Sequence, residues 1–451
     1  MRERVPHQRR LTPVFVEHDH SKELEACSDL LDRKPEIVDL VYRDLISGLA
    51  NPQRGRKGMT AEQVLRALLL KQMEGYSYDK LAYHLQDSTS ARAFCRLSFA
   101  DKPKKSTLLE NIRRISAMTL ERINRTILGI AADEGVERGR KVRIDSSVVE
   151  TNIHHPTDSS LLWDSVRAIT MRLEKVKDCG IQYTDHRKRA KRRALEILNA
   201  KNEEQRLKAY RDLLKVADWV ASYGTVAIPQ LLGWRGTDLA QELAAREIAR
   251  ELSHFVGLTK QVIGQAHRRL FLDESVPASE KIVSIFEPHT DIITKKRRET
   301  EFGHKGLFTF GASSMVLDCC VEIGNPADSR LASRMIDRQK VIYGRVPRQA
   351  CYDAGFASKK GLAEIKAKGV KDVVFHKKQG LQISDMAKST WVYRQLRRFR
   401  SGAEGCISFL KRCFGLDRCT WHGFAGFQTY VWASALSANL LILARHILKA
   451  V

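Results

Sequence analysis

The segment RGRKVRIDSSV (residues 138–148) constrains this chain more than any other. Val142 and Ile144 are apolar and alternate with charged residues, and the period predicts a strand that ends at Asp145. Helical patterns lie on both sides of it. Residues 23–134 read as short helices joined by turns, and residues 158–280 return to a helical pattern. A strand needs neighbours for its backbone hydrogen bonds, and the next strand-like segments begin only at residue 281. The sheet must therefore be built from segments far apart along the chain.

From 281 onward the pattern is mixed. IVSIFEP, GLFTFGAS and SMVLDCCVEIG are expected to be strands, ASRMIDRQKVIYG a helix and RQACYD a short strand. SKKGLAEIKAKGV then reads as a helix and KDVVFH as a strand, with helix again from about residue 401. Strands in series followed by strand–helix alternation predict an α/β core, a mixed sheet flanked by helices. The expected domains are an N-terminal helical region at 1–135, a first strand segment at 136–156, a basic helical insertion at 157–280, and the rest of the core with C-terminal helices at 281–451. Within the first, MTAEQVLRALLLKQMEGYSYDKLAYHL (59–85) has the outline of a helix-turn-helix, turning at Gly75 with Ser77 opening the second helix. Thr107 and Glu110 have capping-box spacing and are expected to open one long helix to about Ala132.

Charge narrows the partners. Among 451 residues, 77 Lys and Arg against 53 Asp and Glu leave a net charge of +24. Such an excess points to a polyanion, and nucleic acid is the first choice. The densest stretch, HRKRAKRRALEILNAKNEEQRLK (186–208), is either a solvated helical face or a phosphate-contacting surface made by Arg187, Lys188, Arg189, Arg192 and Arg193. The nine cysteines show no CxxC pair and no zinc-ligand spacing, so they read as small core residues of a reducing compartment. MRERVPHQRR has no apolar run, and no secretory leader is expected. The apolar tail YVWASALSANLLILARHILKAV (430–451) is interrupted by Ser434, Ser437, Asn439, Arg445 and His446, which predicts a buried terminal helix and no membrane span.

Three acids stand out by context. Asp145 ends a predicted strand, Asp353 ends another in ACYDAGFAS, and Glu404 lies in the predicted helix FRSGAEGCISFLKRCFGL. Two carboxylates about 4 Å apart repel by roughly 4 kcal/mol at an effective dielectric near 20, so acids that converge call for a cation. All-oxygen ligation suits Mg²⁺ or Mn²⁺, and two such ions would support phosphodiester cleavage and transfer. Arg400, Glu404, Ser408 and Lys411 share one helical face, where cations beside the acid fit a ligand that brings negative charge. Lys305 in EFGHKGLFTF is a candidate phosphate contact, Asp318 is a rival to Asp353, and Asp328 in GNPADS is read as a helix N-cap. Glu150 is a surface residue or a neighbour of the acids. His154 and His155 are read as a DNA-backbone contact or loop packing in preference to a zinc site.

With these strings in order, the chain resembles the bacterial insertion-sequence transposases of the DDE superfamily, and within them the group catalogued as ISNCY. The resemblance runs through MTAEQVLRALLLKQMEGYSYDKLAYHL, VRIDSSVVETNIHHPTDSSLLWDSVR, FEPHTDIITKKRRETEFGHK, GNPADS, YDAGFAS and ISFLKRCFGLDRCTW, and so through nearly the whole chain. It implies an RNase H-like catalytic core with Asp145, Asp353 and Glu404 as catalytic, metal-binding acids, in that order. Related transposases carry a helix signature of Tyr, two residues, Arg, three residues, Glu, six residues and Lys. Arg400, Glu404 and Lys411 match it, while Arg397 stands in the Tyr place. Arg400, Lys411 and the adjacent Arg412 become expected DNA contacts. The implied reaction is metal-dependent cleavage at the element's ends followed by strand transfer of the 3′-hydroxyl into target DNA. The implied cofactor is a pair of Mg²⁺ ions, with Mn²⁺ as substitute. The implied partners are double-stranded DNA, as terminal inverted repeats and target, and a second copy of the chain or more in the synaptic complex, all in the bacterial cytoplasm at the nucleoid. Two rival readings are a DNA-binding regulator with an inert triad and a nuclease that cuts without joining.

Overall fold

The computed structural model describes residues 3–4, 14–52, 54, 58–294, 299–377 and 379–450. Most of MRERVPHQRR and the KKRR of residues 295–298 therefore lie outside the described residues. The chain divides into two compact units, Met1–Asn152 with Gly303–Val451, and Ile153–Phe302. The first unit opens with α1 (Asp19–Asp32), α2 (Glu36–Ile46), α3 (Ala61–Met73), α4 (Tyr78–Asp87), α5 (Thr89–Phe94), α6 (Lys105–Ile112), α7 (Ala117–Asp133) and β1 (Lys141–Thr151). The second holds α8 (Asp158–Lys175), α9 (Arg187–Leu198), α10 (Glu203–Gly233), α11 (Leu239–Phe271) and β2 (Asp291–Thr294). The first then resumes with β3 (Thr300–Phe310), β4 (Val316–Glu322), α12 (Asp328–Tyr343), β5 (Gln349–Tyr352), α13 (Lys359–Ala367) and β6 (Asp372–Phe375). It closes with α14 (Ile383–Met386), α15 (Thr390–Cys413), β7 (Arg418–Cys419) and α16 (Phe424–Ala450).

The sheet of the first unit is mixed. β4 and β1 each pair antiparallel with β3, β5 lies parallel to β1, and β6 lies parallel to β5. The order is therefore β4-β3-β1-β5-β6, and β7 joins β1 only at Glu150 and Thr151. β1 does not end at Asp145 as its sequence suggested. It runs on to Thr151 because β3 pairs with it from Arg143 to Glu150 and β7 takes up its last two residues. What ends is its parallel neighbour, since the last β1–β5 pair is Ile144 with Tyr352. One side of β1 is thus without a strand partner from Asp145 to Val149.

Two other local expectations are corrected by tertiary contacts. IVSIFEP forms no strand. In the second unit the backbone of Ile282 is satisfied by the Gln265 amide of α11, which accepts from its N–H at 2.9 Å and donates to its carbonyl at 3.1 Å. Ser284 Oγ then accepts from the N–H groups of Phe286 and Glu287, which turns the chain. The long helix expected from Thr107 is two helices, with Thr107 inside α6. Ser116 Oγ caps α7 by accepting from Thr119 N, and Ser116 N donates to the Asp44 carboxylate at 2.7 Å, so the break is held from both sides.

The N-terminal helices and the sheet share one hydrophobic core, so the expected boundary near residue 135 separates segments that pack as one body. α3, the first helix of the helix-turn-helix outline, is buried at every position from Ala61 to Gln72 except Glu62. α4 buries only Leu81 and Leu85, and its exposed face carries Asp79, Lys80, Tyr83, Gln86 and Asp87, which is not a basic surface.

α16 is long and apolar enough to cross a membrane by length and composition, yet it packs against α1, α3, α7 and β4 as a core helix. Its polar residues explain themselves inside that core. Asn439 Oδ1 accepts from Val316 N, and its amide donates to Val316 O and Asn124 Oδ1, each at 2.7 Å, so it completes the start of strand β4. Replacing Asn439 with Ala leaves buried peptide groups without partners. The variant is expected to lose about 2–4 kcal/mol of stability in urea unfolding, whereas an exposed control such as Gln86→Ala stays near wild type.

Candidate active site

α15 is registered on β1 by three contacts that its sequence provides. Phe399 lies beneath Lys141 and Arg143 of β1, whose cationic groups sit 4.1 and 4.7 Å from its ring centre. Arg143 is buried and donates to Phe399 O, Ser314 Oγ and Cys406 Sγ. Gly402 permits this approach, because a Cβ there would overlap the Arg143 guanidinium. These contacts bring the next turn of α15, with Arg400 and Glu404, over Asp145.

The three acids come together from three segments. Asp353 follows the last residue of β5, so it continues the parallel register in which Ile144 faces Tyr352 and falls beside Asp145. Arg400 joins all of them. Its Nη2 meets Asp145 Oδ2 at 2.8 Å and Asp353 Oδ1 at 3.2 Å, and its Nη1 meets Glu404 Oε1 at 3.0 Å. Arg400 is 4% exposed, Asp145 9%, Asp353 43% and Glu404 77%, which grades the acids from a fixed floor to a solvent-facing helix residue. Burial pushes the Asp145 carboxyl up to about 6, against the lowering effects of Arg400 and of the Ser146 N–H. Asp353 and Glu404 raise it further.

An open cleft of about 710 Å³ lies over this cluster, lined by Asp145, Arg400, Glu404, Ser408, Lys411 and Arg412 among others. Lys411 reaches Asp417 at 3.4 Å, while Arg412 is exposed and makes no ion pair among the described residues. Arg397, in the Tyr place of the helix signature, is likewise exposed and unpaired among them. Arg400, an expected DNA contact, is the shared partner of the acids.

Lys305 is also committed, donating to Asp328 Oδ1 at 2.9 Å and to Pro326 O at 2.7 Å. Asp328 does not cap its helix. Its carboxylate accepts from Ser146 Oγ at 3.2 Å and lies against Gly355, so it buttresses the residues that follow Asp145 and Asp353. Nothing in its local sequence signals this, because Ser146 and Lys305 are both remote. Asp318 is fully buried and taken up by both nitrogens of the Arg338 fork, which removes it as a rival to Asp353. Glu150 pairs with Arg418 of β7.

In the second unit much of the α9 charge is spent locally. Arg187 pairs with Asp185 and Glu174, Arg189 and Arg193 share Asp212, and Arg193 also meets Glu196. Hydrogen bonds from Arg189 and Arg193 push the Asp212 carboxyl down to about 2. Lys188 and Arg192 face solvent, the latter only 3.9 Å from Glu196. His154 pairs with Asp164, and His155 packs edge-on against Phe302.

The donor set suits a hard divalent cation, since the acids offer only oxygen and, among the described residues, no His or Cys lines the cleft. Among the described residues, no three His, Cys, Asp or Glu side chains close on one another as a ready cage. The acids close on the Arg400 guanidinium instead.

Two family models match the chain, one described as a transposase domain (DUF772) over residues 16–114 and one as a transposase DDE domain over residues 285–440. Asp353 and Glu404 fall inside the second match. Asp145 falls outside both and enters through the pairing of β1 with β3 and β5. No curated protein and no solved structure matches the chain.

The raised carboxyl has a consequence for stability in metal-free buffer. Asp145 titrates near 3.8 when unfolded and at about 6 when folded, so the folded chain binds this proton more tightly. That contribution is complete below pH 4 and is lost as the pH rises through 6. Asp145→Asn, neutral at every pH, is expected to exceed wild type by up to about 3 kcal/mol at pH 8 in EDTA and to match it near pH 4. Equal unfolding curves at pH 8 would mean that this carboxylate is not held away from water.

Proposed function

The chain belongs to the insertion-sequence DDE transposases, and from that membership we propose that Asp145, Asp353 and Glu404 are the acids through which it cuts and joins DNA. It is a DNA transposase, and double-stranded DNA is its substrate. The observation that carries the residue assignment is the convergence of these acids, from β1, the end of β5 and α15, on the one guanidinium of Arg400. The same strand order supports an RNase H-like reading of the core. Three antiparallel strands are continued by two parallel ones, and the acids lie where β1 and β5 part. The quoted sequence strings favour the ISNCY-like group within the family.

Mg²⁺ or Mn²⁺ would be held by the three carboxylates and, when bound as a pair, would activate the attacking oxygen and stabilise the leaving one. The chain's own groups divide the remaining work. Asp145, fixed by burial and by the Ser146 N–H, sets the floor of the site, and Asp353 is placed beside it by strand register. Glu404 approaches from the solvent side on α15. Ser408, Lys411 and Arg412 line the same cleft and would hold the phosphate backbone there. Hydrolysis at the element's end frees a 3′-hydroxyl, which then attacks a target phosphodiester. Each step exchanges one P–O bond for another, so one site serves both. Lys188 and Arg192 of α9 add a solvent-facing basic surface to the DNA contacts. Joining two ends at one target calls for at least two copies in the working complex, at the chromosome in the cytoplasm.

An assay with pre-cut terminal DNA and a plasmid target separates this reading from its rivals. Joined product is expected. Nicked plasmid alone would indicate a nuclease, and bound but intact DNA a regulator. Asp353→Asn and Glu404→Gln are each expected to cut joining by at least about a hundredfold, while gel-shift binding of the end survives. Wild-type joining in either variant would overturn the assignment.

A further inference from the structure

The inward-facing arginines of this chain are held in different ways. Arg66 has all three guanidinium nitrogens engaged, on Glu62, Ser28, the Phe94 carbonyl and Asp32. Arg338 likewise places two nitrogens on Asp318. Both are finished structural pairs. Arg400 differs, because among the described residues only three carboxylates hold it; like that of the buried Arg143, its Nε has no hydrogen-bond partner there. Three carboxylates facing one guanidinium also leave the cluster short of positive charge, a condition that a divalent cation corrects better than an arginine does.

We propose that Arg400 is a resident counter-ion that keeps the acids closed and is exchanged when the site is loaded. Divalent ions take the carboxylates, and a DNA phosphodiester takes the guanidinium. This rests on the assignment of the three acids as metal ligands. The exchange is favourable because the guanidinium and the ion compete for the same oxygens, and a phosphate offers the released fork two acceptors in its own plane. Arg400 lines the cleft together with Lys411 and Arg412, so a phosphate held there lies within the reach of its side chain. Metal and DNA thereby become mutually cooperative ligands, since each removes the partner that holds the other's group. The unloaded protein is protected from binding metal without DNA, and so from adventitious cutting.

Mn²⁺ binding tests this by electron paramagnetic resonance, without turnover. The full chain is compared as wild type, Arg400→Gln and Arg400→Lys, with Asp145→Asn as the control for binding elsewhere. Without DNA, Arg400→Gln is expected to bind Mn²⁺ roughly tenfold more tightly than wild type. Arg400→Lys gains less, because an ammonium cannot fork to three acids. Adding a short DNA duplex should tighten Mn²⁺ binding by wild type above the Asp145→Asn background and leave Arg400→Gln unchanged. Unchanged or weaker binding in the folded Arg400 variants overturns the exchange, as does a wild-type affinity that the duplex does not move. The duplex comparison stands even if a variant fails to fold. If wild type and Asp145→Asn bind Mn²⁺ alike, the metal-ligand assignment itself fails, and the exchange with it.

Discussion

Gathering three carboxylates into one cleft is electrostatically unfavourable, and the Arg400 guanidinium is what offsets it here. The rest of the first unit is arranged so that this contact can form. Phe399 beneath Lys141 and Arg143 sets the rotation of α15, and Gly402 lets the helix approach the strand. An error of one residue in that register would rotate Arg400 and Glu404 about 100° away from Asp145.

The acids inherit different mechanical properties from their elements. Asp145 lies inside a strand paired along its length on one side, and it is almost fully buried. Asp353 sits just past a strand end, where Gly355 lets the chain turn against the Asp328 carboxylate. Glu404 rides on a helix and is mostly exposed. A fixed floor at Asp145 with two solvent-accessible acids leaves an open cleft over the cluster. The sheet makes room for it by ending β5 at Tyr352 while β1 continues.

Net charge is a coarser guide than it first looks. The total of +24 fits a DNA partner, but the densest basic stretch spends Arg187, Arg189 and Arg193 on neighbouring acids. Other charges with no ion pair among the described residues, such as Arg412 at the cleft and Arg397 on the same helix, come from stretches that composition does not single out. Pairing depends on which acids fold alongside. Counting lysines and arginines cannot reveal it.

The sequence by itself determined the family and set the first core strand far from its partners. Asp145 after an alternating strand, Asp353 before Gly355 and Glu404 on a basic helix are local patterns, and local patterns follow from periodicity and residue type. The long helical stretch between the first strand and its partners was legible for the same reason. Tertiary structure alone decided what the local pattern leaves open. It carried β1 past Asp145, because strand length is set by neighbours. It denied IVSIFEP a strand, because Gln265 satisfied that backbone first. It gave Asn439 to the start of β4, Asp328 to Ser146, and Arg400 to three acids at once. Most of these partners are distant along the chain, with separations of 123 residues for Val316 and Asn439, 182 for Ser146 and Asp328 and 255 for Arg400 and Asp145, and the fold alone brings them together.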